Sequence, residues 1–463
     1  MKRAHLRVAA LLALAGSFAH AQQAESVERG GRSVVESAPR PTRHAPRALD
    51  AADTSTQSFA VDGINVILRR VTANDVVAAN LYLLGGTRLV GFEKAGLEPF
   101  LLLASERGTT GYPRDVLRRR MAELGTQIGP SADQDWTTFA LRSTAETFDS
   151  TWAIFADRVM RPTLDSAEVE LVRTQLLSGV RQRRDDPDAL LEYLADSVAY
   201  AGHPYGIEPN GTETSIRNIT LADLKRFERE HMVTSRMLLV VVGNVTRAQV
   251  ERLVSATLAK LPRGDYQWAP PPPAATFAPT LVTESRALPT NYILGYYAGP
   301  PATGRDYHAL RIATAVLTGR LFSEIRAKRN LTYAVDAPFI DRAQTAGGLY
   351  VTTVDPNTTL QVMRQQITEL QNGWITPRGL DQVVQQFITE YFLKNETNAD
   401  QANQLARAQL YQGDWHHAVQ FADELRQVTP DDVHRVLRTY VRNVRFVYVG
   451  DPSKLDRSVV AGF

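Results

Sequence analysis

The sequence predicts an α+β protein built from two related domains, and three observations carry that expectation. Short Val- and Leu-rich runs with strand character alternate with longer segments whose apolar residues recur at helical spacing. A unit of the first half is also echoed in the second. Thr220-Leu221-Ala222-Asp223 opens a helix leading to Val242-Gly243-Asn244, and Thr429-Pro430-Asp431-Asp432 opens another leading to Val449-Gly450-Asp451 over nearly the same distance. Each unit begins with a Thr suited to capping a helix and an acid in the first turn, and each ends in a Val-rich strand closed by Gly. Finally, Pro270-Pro271-Pro272-Pro273 lies near the middle of the folded region, where consecutive prolines favour a stiff, extended spacer. The expected boundaries are 57–262 for an N-terminal domain, 263–278 for a linker and 279–463 for a C-terminal domain.

Residues 1–21 read as a secretory signal peptide. Lys2, Arg3 and Arg7 form a positive start, Val8 to Ala15 an apolar run too short to cross a bilayer, and Ala19-His20-Ala21 a small-x-small cleavage site. Residues 22–56 are polar, without periodicity, and read as a flexible leader. No later run approaches the ~18 apolar residues of a transmembrane helix, so no membrane span is expected after signal cleavage. A periplasmic location is the first expectation and secretion the second. A hydrophobic content of 44% supports a substantial core, and with no cysteine that core must do without disulfides. The absence of cysteine also excludes thiol catalysis, Cys-ligated zinc and iron–sulfur clusters. A net charge of only +2 gives no electrostatic case for nucleic acid as a partner.

In chain order, Phe59-Ala60-Val61 and Asn65-Val66-Ile67-Leu68 flank Asp62-Gly63 and predict a hairpin. Val76 to Leu84 predicts a strand, Gly96 to Arg107 an apolar helix and Asp115 to Leu124 a second helix. Trp136 to Arg142 follows as a strand, with helices near 145–158, 166–183 and 190–200. His203-Pro204-Tyr205-Gly206 reads as a turn, Leu221 to Glu230 as a helix and Met237 to Val242 as a buried strand. In the second half, Tyr292 to Tyr297 predicts a strand leading into a helix. Leu321–Val335, reading LFSEIRAKRNLTYAV, predicts a helix stopped near Asn330 and followed by a half-buried strand. That junction can bring Arg326 and Tyr333 together, a charged fork and a hydroxyl suited to gripping a peptide carbonyl or a developing oxyanion.

Self-contained catalytic motifs are missing. The six histidines of the folded part, His203, His231, His308, His416, His417 and His434, form neither HxxxH nor HxxEH. Adjacent His416 and His417 point apart, and His203 in its turn reads as structural. There is no GxSxG, no phosphate-binding GxxxxGK[ST], no GxGxxG after a strand and no EF-hand loop.

From about Ser58 to the C-terminus the order of motifs resembles the M16 (insulinase/pitrilysin) metallopeptidase family in its two-domain branch. The matching pieces are Gly86-Thr87-Arg88, Gly96-Leu97, Arg107-Gly108-Thr109, His203-Pro204-Tyr205-Gly206, the paired Thr-capped helix and VVVG strand units, and LFSEIRAKRNLTYAV. The resemblance implies two homologous domains, each a mixed or antiparallel sheet with helices on one face. Active members carry an inverted zinc motif, HxxEH, within G-L-x-H-F-L-E-H, with a third ligand, a Glu, on a later helix. Here Pro99, Leu102 and Leu103 stand at the positions of first ligand, base and second ligand, and Gly179 stands near that of the third. The family's N-A-x-T edge-strand motif reads Gly129-Pro130-Ser131-Ala132. The resemblance therefore implies no metal bound by this chain. It also implies that Arg326 and Tyr333, seven apart with Asn330 where a Gly is usual, bind substrate.

Some family members divide one active site between two chains. On that pattern this chain is the non-metal, substrate-binding subunit of a heterodimeric peptidase, inactive alone. Zinc is expected in a homologous partner carrying HxxEH, and the substrate is a peptide. A strand at Gly347–Thr353 either takes that peptide at a sheet edge or is a paired core strand. The alternative is a pseudopeptidase acting only as a scaffold or binding protein.

Overall fold

The computed structural model describes residues 55–274, 278–373 and 375–463. The predicted signal peptide and all but the last two residues of the predicted leader lie outside the described residues, as does part of the predicted linker. Each half holds one sheet. The first consists of β1 (Thr56–Val61), β2 (Ile64–Arg70), β3 (Val76–Leu84), β4 (Gln127–Ala132), β5 (Trp136–Thr144) and β6 (Met237–Gly243). The second consists of β7 (Thr280–Ser285), β8 (Asn291–Pro301), β9 (Thr332–Asp336), β10 (Phe339–Ile340), β11 (Gln344–Thr353) and β12 (Arg445–Gly450). The helices of the first half are α1 (Leu97–Ala104), α2 (Arg114–Glu123), α3 (Phe148–Met160), α4 (Ser166–Asp185), α5 (Pro187–Ala199), α6 (Glu213–Asn218), α7 (Leu221–His231) and α8 (Arg247–Ala256). Those of the second are α9 (Tyr307–Leu321), α10 (Pro356–Asn372), α11 (Pro377–Lys394), α12 (Asn398–Arg407), α13 (His416–Arg426) and α14 (Pro430–Tyr440).

Strand order exposes the duplication. The first sheet runs β1-β2-β6-β3-β5-β4 and the second β10-β11-β8-β12-β7, with β9 also on β11. Strands β2-β6-β3-β5-β4 thus correspond to β7-β12-β8-β11-β9, and in both sheets the first pair is parallel and the others antiparallel. The echoed caps are equivalent as well. Thr220 Oγ1 accepts from Asp223 N at 3.1 Å and Asp223 Oδ2 from Thr220 N at 2.9 Å, while Thr429 and Asp432 exchange the same bonds at 3.2 and 3.1 Å. The hairpin turn at Asp62-Gly63 has φ of 48° and 91°, the left-handed pair that a two-residue hairpin demands.

One face of each sheet packs on its own helices. Leu81, Leu83, Phe139 and Leu239 meet Phe100, Phe155 and Phe227 in the first half, and Ile293, Leu349 and Phe446 meet Leu310, Leu317 and Leu437 in the second. The opposite faces are covered reciprocally. Ala402, Leu405 and Ala406 of α12 join Tyr82, Leu238, Val240 and Val242 of the first sheet, and Leu190, Leu191 and Ala195 of α5 join Leu294, Tyr296, Val447 and Val449 of the second. Each half thus lends one helix to the other. This is why β6, reading MLLVVVG, is buried along its whole length and shows no polar alternation. Each fully buried Leu or Val contributes ~1.5–3 kcal/mol, so the exchange welds the two domains together.

The proline-rich segment follows that seam. Trp268 Nε1 donates to Leu410 O (2.9 Å), Arg88 Nη1 to Ala269 O (2.7 Å) and Gln344 Nε2 to Pro271 O (3.1 Å). His203 Nε2 lies 2.9 Å from Pro272 O while its Nδ1 accepts from Tyr205 N at 3.1 Å, a structural role on both nitrogens. The strand expected at Gly347–Thr353 is a correction. It belongs to β11, which pairs with β8 on one side and with β9 and β10 on the other, so it offers no edge to a peptide. The adjoining edge strand is β9, and it carries Tyr333.

Candidate functional site

Pro99, Leu102 and Leu103, which the resemblance sets at metal positions, lie on a packed helix of the first half, and Gly179 on another. In α1, Pro99 falls in the first turn, where a backbone N–H has no intrahelical partner and proline is tolerated. Leu102 is 1% exposed within the core, and Leu103 packs half-buried against it. Gly179 lies on an exposed face of α4, where an added Cβ would meet nothing within 4 Å. Three hydrocarbon side chains and a glycine offer no side-chain donor atom to a cation, so these positions do not fit zinc. Among the described residues, no group of three or more His, Cys, Asp or Glu side chains could hold a metal ion.

The charges around α1 are turned inward. Glu98, 3% exposed, pairs at 2.8 Å with Nη2 of Arg236, itself 1% exposed, whose Nε and Nη1 donate to Leu84 O and His231 O at 2.7 Å. Behind the helix, buried Arg158 donates to Leu102 O (3.3 Å), Ser105 Oγ (3.1 Å) and Ile128 O (3.0 Å). Burial lowers its guanidinium to about 10, which leaves it a cation at neutral pH. That cation complements the carbonyl end of α1 and opposes a second cation near the helix.

The second half keeps a polar pair, a half-buried Arg326 beside an exposed Tyr333. The chain leaves α9 through a π-helical turn, Phe322–Ala327, closed by Lys328 N donating to Ser323 O at 3.0 Å. Asn330 then takes φ 51°, and its N–H donates to Arg326 O at 3.0 Å, a left-handed helix stop that Gly or Asn adopts with least strain. The turn is anchored by fully buried Ile325. Buried Glu324 accepts Lys328 Nζ at 2.6 Å and Arg329 Nη1 at 2.7 Å, and its carboxyl is held below the ordinary glutamate value, first by the Lys328 bond. Arg326 is left over. Its guanidinium carbon lies 5.0 Å from the ring centre of Phe322 and 5.1 Å from that of Tyr333, so the residues singled out from sequence do stand together. Tyr333 is 64% exposed, and among the described residues neither it nor Arg326 has an ion pair or hydrogen bond to its polar tip.

Sequence reasoning missed two members of this cluster. Phe322 was legible only as an apolar helix residue, although it sits four before Arg326 on the same face. Glu324 and Lys328 have the i,i+4 spacing of a helical ion pair, a signal available in the sequence. The π-turn has no comparable signature. In such turns a departure from regular geometry accompanies functional positions more often than it does elsewhere.

Comparison with known proteins places this geometry. Residues 65–213 match the family described as Insulinase (Peptidase family M16), and residues 218–387 match the Peptidase M16 inactive domain. The chain belongs to the M16 peptidase family. It is similar to the zinc protease PqqE of Helicobacter pylori, with 22% identity over 87% of this chain and 93% of that protein. An uncharacterised zinc protease of Mycobacterium bovis shows 24% identity over 86% and 93%. Among solved structures, a peptidase M16 inactive domain from Pseudomonas fluorescens superposes with a TM-score of 0.78 at 22% identity, covering 86% of this chain and 98% of that one. Among the described residues, no helix is long and apolar enough to cross a membrane.

Proposed function

We propose that this chain is the non-metal subunit of a two-chain M16 peptidase, binding a peptide at Arg326 and Tyr333. The homologous partner carries HxxEH and the zinc, which supplies an activated water and polarises the scissile carbonyl. The observation that carries this reading is the pair itself. The Arg326 guanidinium lies 5.1 Å from the Tyr333 ring centre beside an edge strand, and among the described residues neither polar tip has a hydrogen-bond or ion-pair partner. Arg326 offers in-plane N–H donors and Tyr333 an O–H donor, which orient a peptide carbonyl and stabilise negative charge developing on its oxygen. The zinc protease names of the relatives support the reaction class, and the residues at 99, 102, 103 and 179 support its division between chains. The pattern of residues 1–21 supports an exported, periplasmic enzyme.

Co-purification with an HxxEH-bearing family member from the same organism tests the proposal, with zinc content and cleavage of a quenched fluorogenic peptide as readouts. Zinc and activity should appear only in the complex. Arg326→Ala and Tyr333→Phe should each lower kcat/KM by ~10²-fold or more, the loss typical of one transition-state donor. A stable complex whose activity ignores both substitutions would instead mark the chain as a scaffold.

A further inference from the structure

We infer that Phe322 is a positioning residue for Arg326, an inference that rests on the proposed role of the Arg326–Tyr333 pair. An arginine side chain on an exposed turn samples many rotamers, and a substrate-binding donor must be confined to one. Ion pairs do not confine Arg326, because the carboxylate of its own turn, Glu324, is taken by Lys328 and Arg329. Two aromatic rings do so instead. The guanidinium lies 5.0 Å from the Phe322 ring centre and 5.1 Å from that of Tyr333, within cation–π range of both.

The two rings differ in how they are held. Tyr333 stands out from β9 at 64% exposure, so its own position depends on its neighbours. Phe322 is half-buried, packs against the core of the second half and opens the π-turn four residues before Arg326. It is the fixed wall, and Arg326 lies within reach of both rings. A cation–π contact does not use up N–H donors as an ion pair would, so they remain for a substrate oxygen.

The test pairs Phe322→Leu, which keeps an apolar side chain without a ring, with Phe322→Tyr, which keeps the ring. In the chain alone, labelled with ¹⁵N-arginine, the Arg326 Nε–Hε resonance (assigned by its loss in Arg326→Lys) should be displaced by ring current. In Phe322→Leu it should move to the position of a solvated arginine, while in Phe322→Tyr it should stay. In the peptidase complex with the quenched fluorogenic peptide, Phe322→Leu should lose about tenfold in kcat/KM and Phe322→Tyr should stay within about twofold. An unmoved resonance in Phe322→Leu overturns the inference. So does equal loss of activity in both variants, which would show that Phe322 acts through packing. If Arg326→Ala leaves the complex at full activity, the functional reading itself fails; if it impairs the complex while Phe322→Leu does not, only the role of Phe322 fails.

Discussion

The two halves share a strand order and part ways after one pair of equivalent strands. After β3, the chain folds into α1, whose side chains at the metal positions are carbon and whose nearby charges are buried in pairs. After β8, it folds into α9 and the π-turn, where Arg311 pairs with Asp341 and the cations around the turn find carboxylate or amide partners, Arg326 excepted among the described residues. Arg320 bonds Gln366 and Glu369, Lys328 and Arg329 bond Glu324, and Arg326 meets only rings. The edge strands diverge in the same sense. Equivalent positions in the sheets are held by β4, where Pro130 removes a backbone donor, and by β9, where Tyr333 points into solvent. A duplicated frame thus accommodates core at one position of the repeat and a polar pair at another, because burial contributes stability. An Arg–Tyr pair whose polar tips find no partner among the described residues contributes almost none, so its presence needs an explanation outside the fold.

The sharpest way to break this contrast is to remove one charge from each half. Arg236→Ala leaves the Glu98 carboxylate buried without its partner and strips donors from Leu84 O and His231 O. The expected loss is about 3–5 kcal/mol in urea-induced unfolding. Arg326→Ala should change stability by no more than about 0.5 kcal/mol, as exposed substitutions away from buried networks do. Comparable losses in both would mean that Arg326 is a structural arginine.

Much of the frame could be read in the sequence because it depends on local patterns. The Thr–Asp caps, the Asp62-Gly63 turn and β6 each arise from residues within a few positions of one another. That Pro99, Leu102, Leu103 and Gly179 carry no ligating side chain can be read from the sequence alone; that they stand at metal positions is what the resemblance implies. What escaped was non-local. Gly347–Thr353 reads like any β-branched run, and only the partners on both sides make β11 interior rather than an edge. The exchange of α5 and α12 leaves no periodic mark distinguishing a helix that covers its own sheet from one that covers another's. The contact of Phe322 with Arg326 depends on a turn whose π geometry the sequence does not announce.

Glu324 sharpens the comparison from the other side, because it is the buried charge of the second half with a role at the surface. Its folded pKa is depressed below the ordinary 4.5, first by the Lys328 bond and then, against the opposing effect of burial, by Arg329. Its contribution is therefore fully present above the unfolded value and is lost as pH falls through the folded one. Glu324→Gln should lower stability by about 1.5 kcal/mol at pH 7, discounted for the exposure of both cations. The gap from the unsubstituted chain should stay flat above the ordinary glutamate value and close as pH falls through the lower folded one. A gap that widened in acid would show that the carboxylate is protonated in the fold and donates rather than accepts.

A smaller loss than that of Glu324→Gln is expected at Asn330, which ends the turn where the resemblance leads one to expect Gly. Its φ of 51° lies in the left-handed region, where a Cβ crowds the following carbonyl. Asn tolerates that region better than other side chains, so Asn330→Ala should destabilise by about 1 kcal/mol and Asn330→Gly by a few tenths at most. The direction matters more than the size. Asn330 N donates to Arg326 O, and Leu331 N donates to Ile325 O, both at 3.0 Å, so this one backbone conformation sets how α9 hands the chain to β9. If Ala is accepted as easily as Gly, the turn has relaxed to another geometry, and Arg326 and Tyr333 should lose their contact with it. If Ala is penalised and Gly is not, the left-handed residue is what carries the chain from the helix bearing Arg326 to the strand bearing Tyr333.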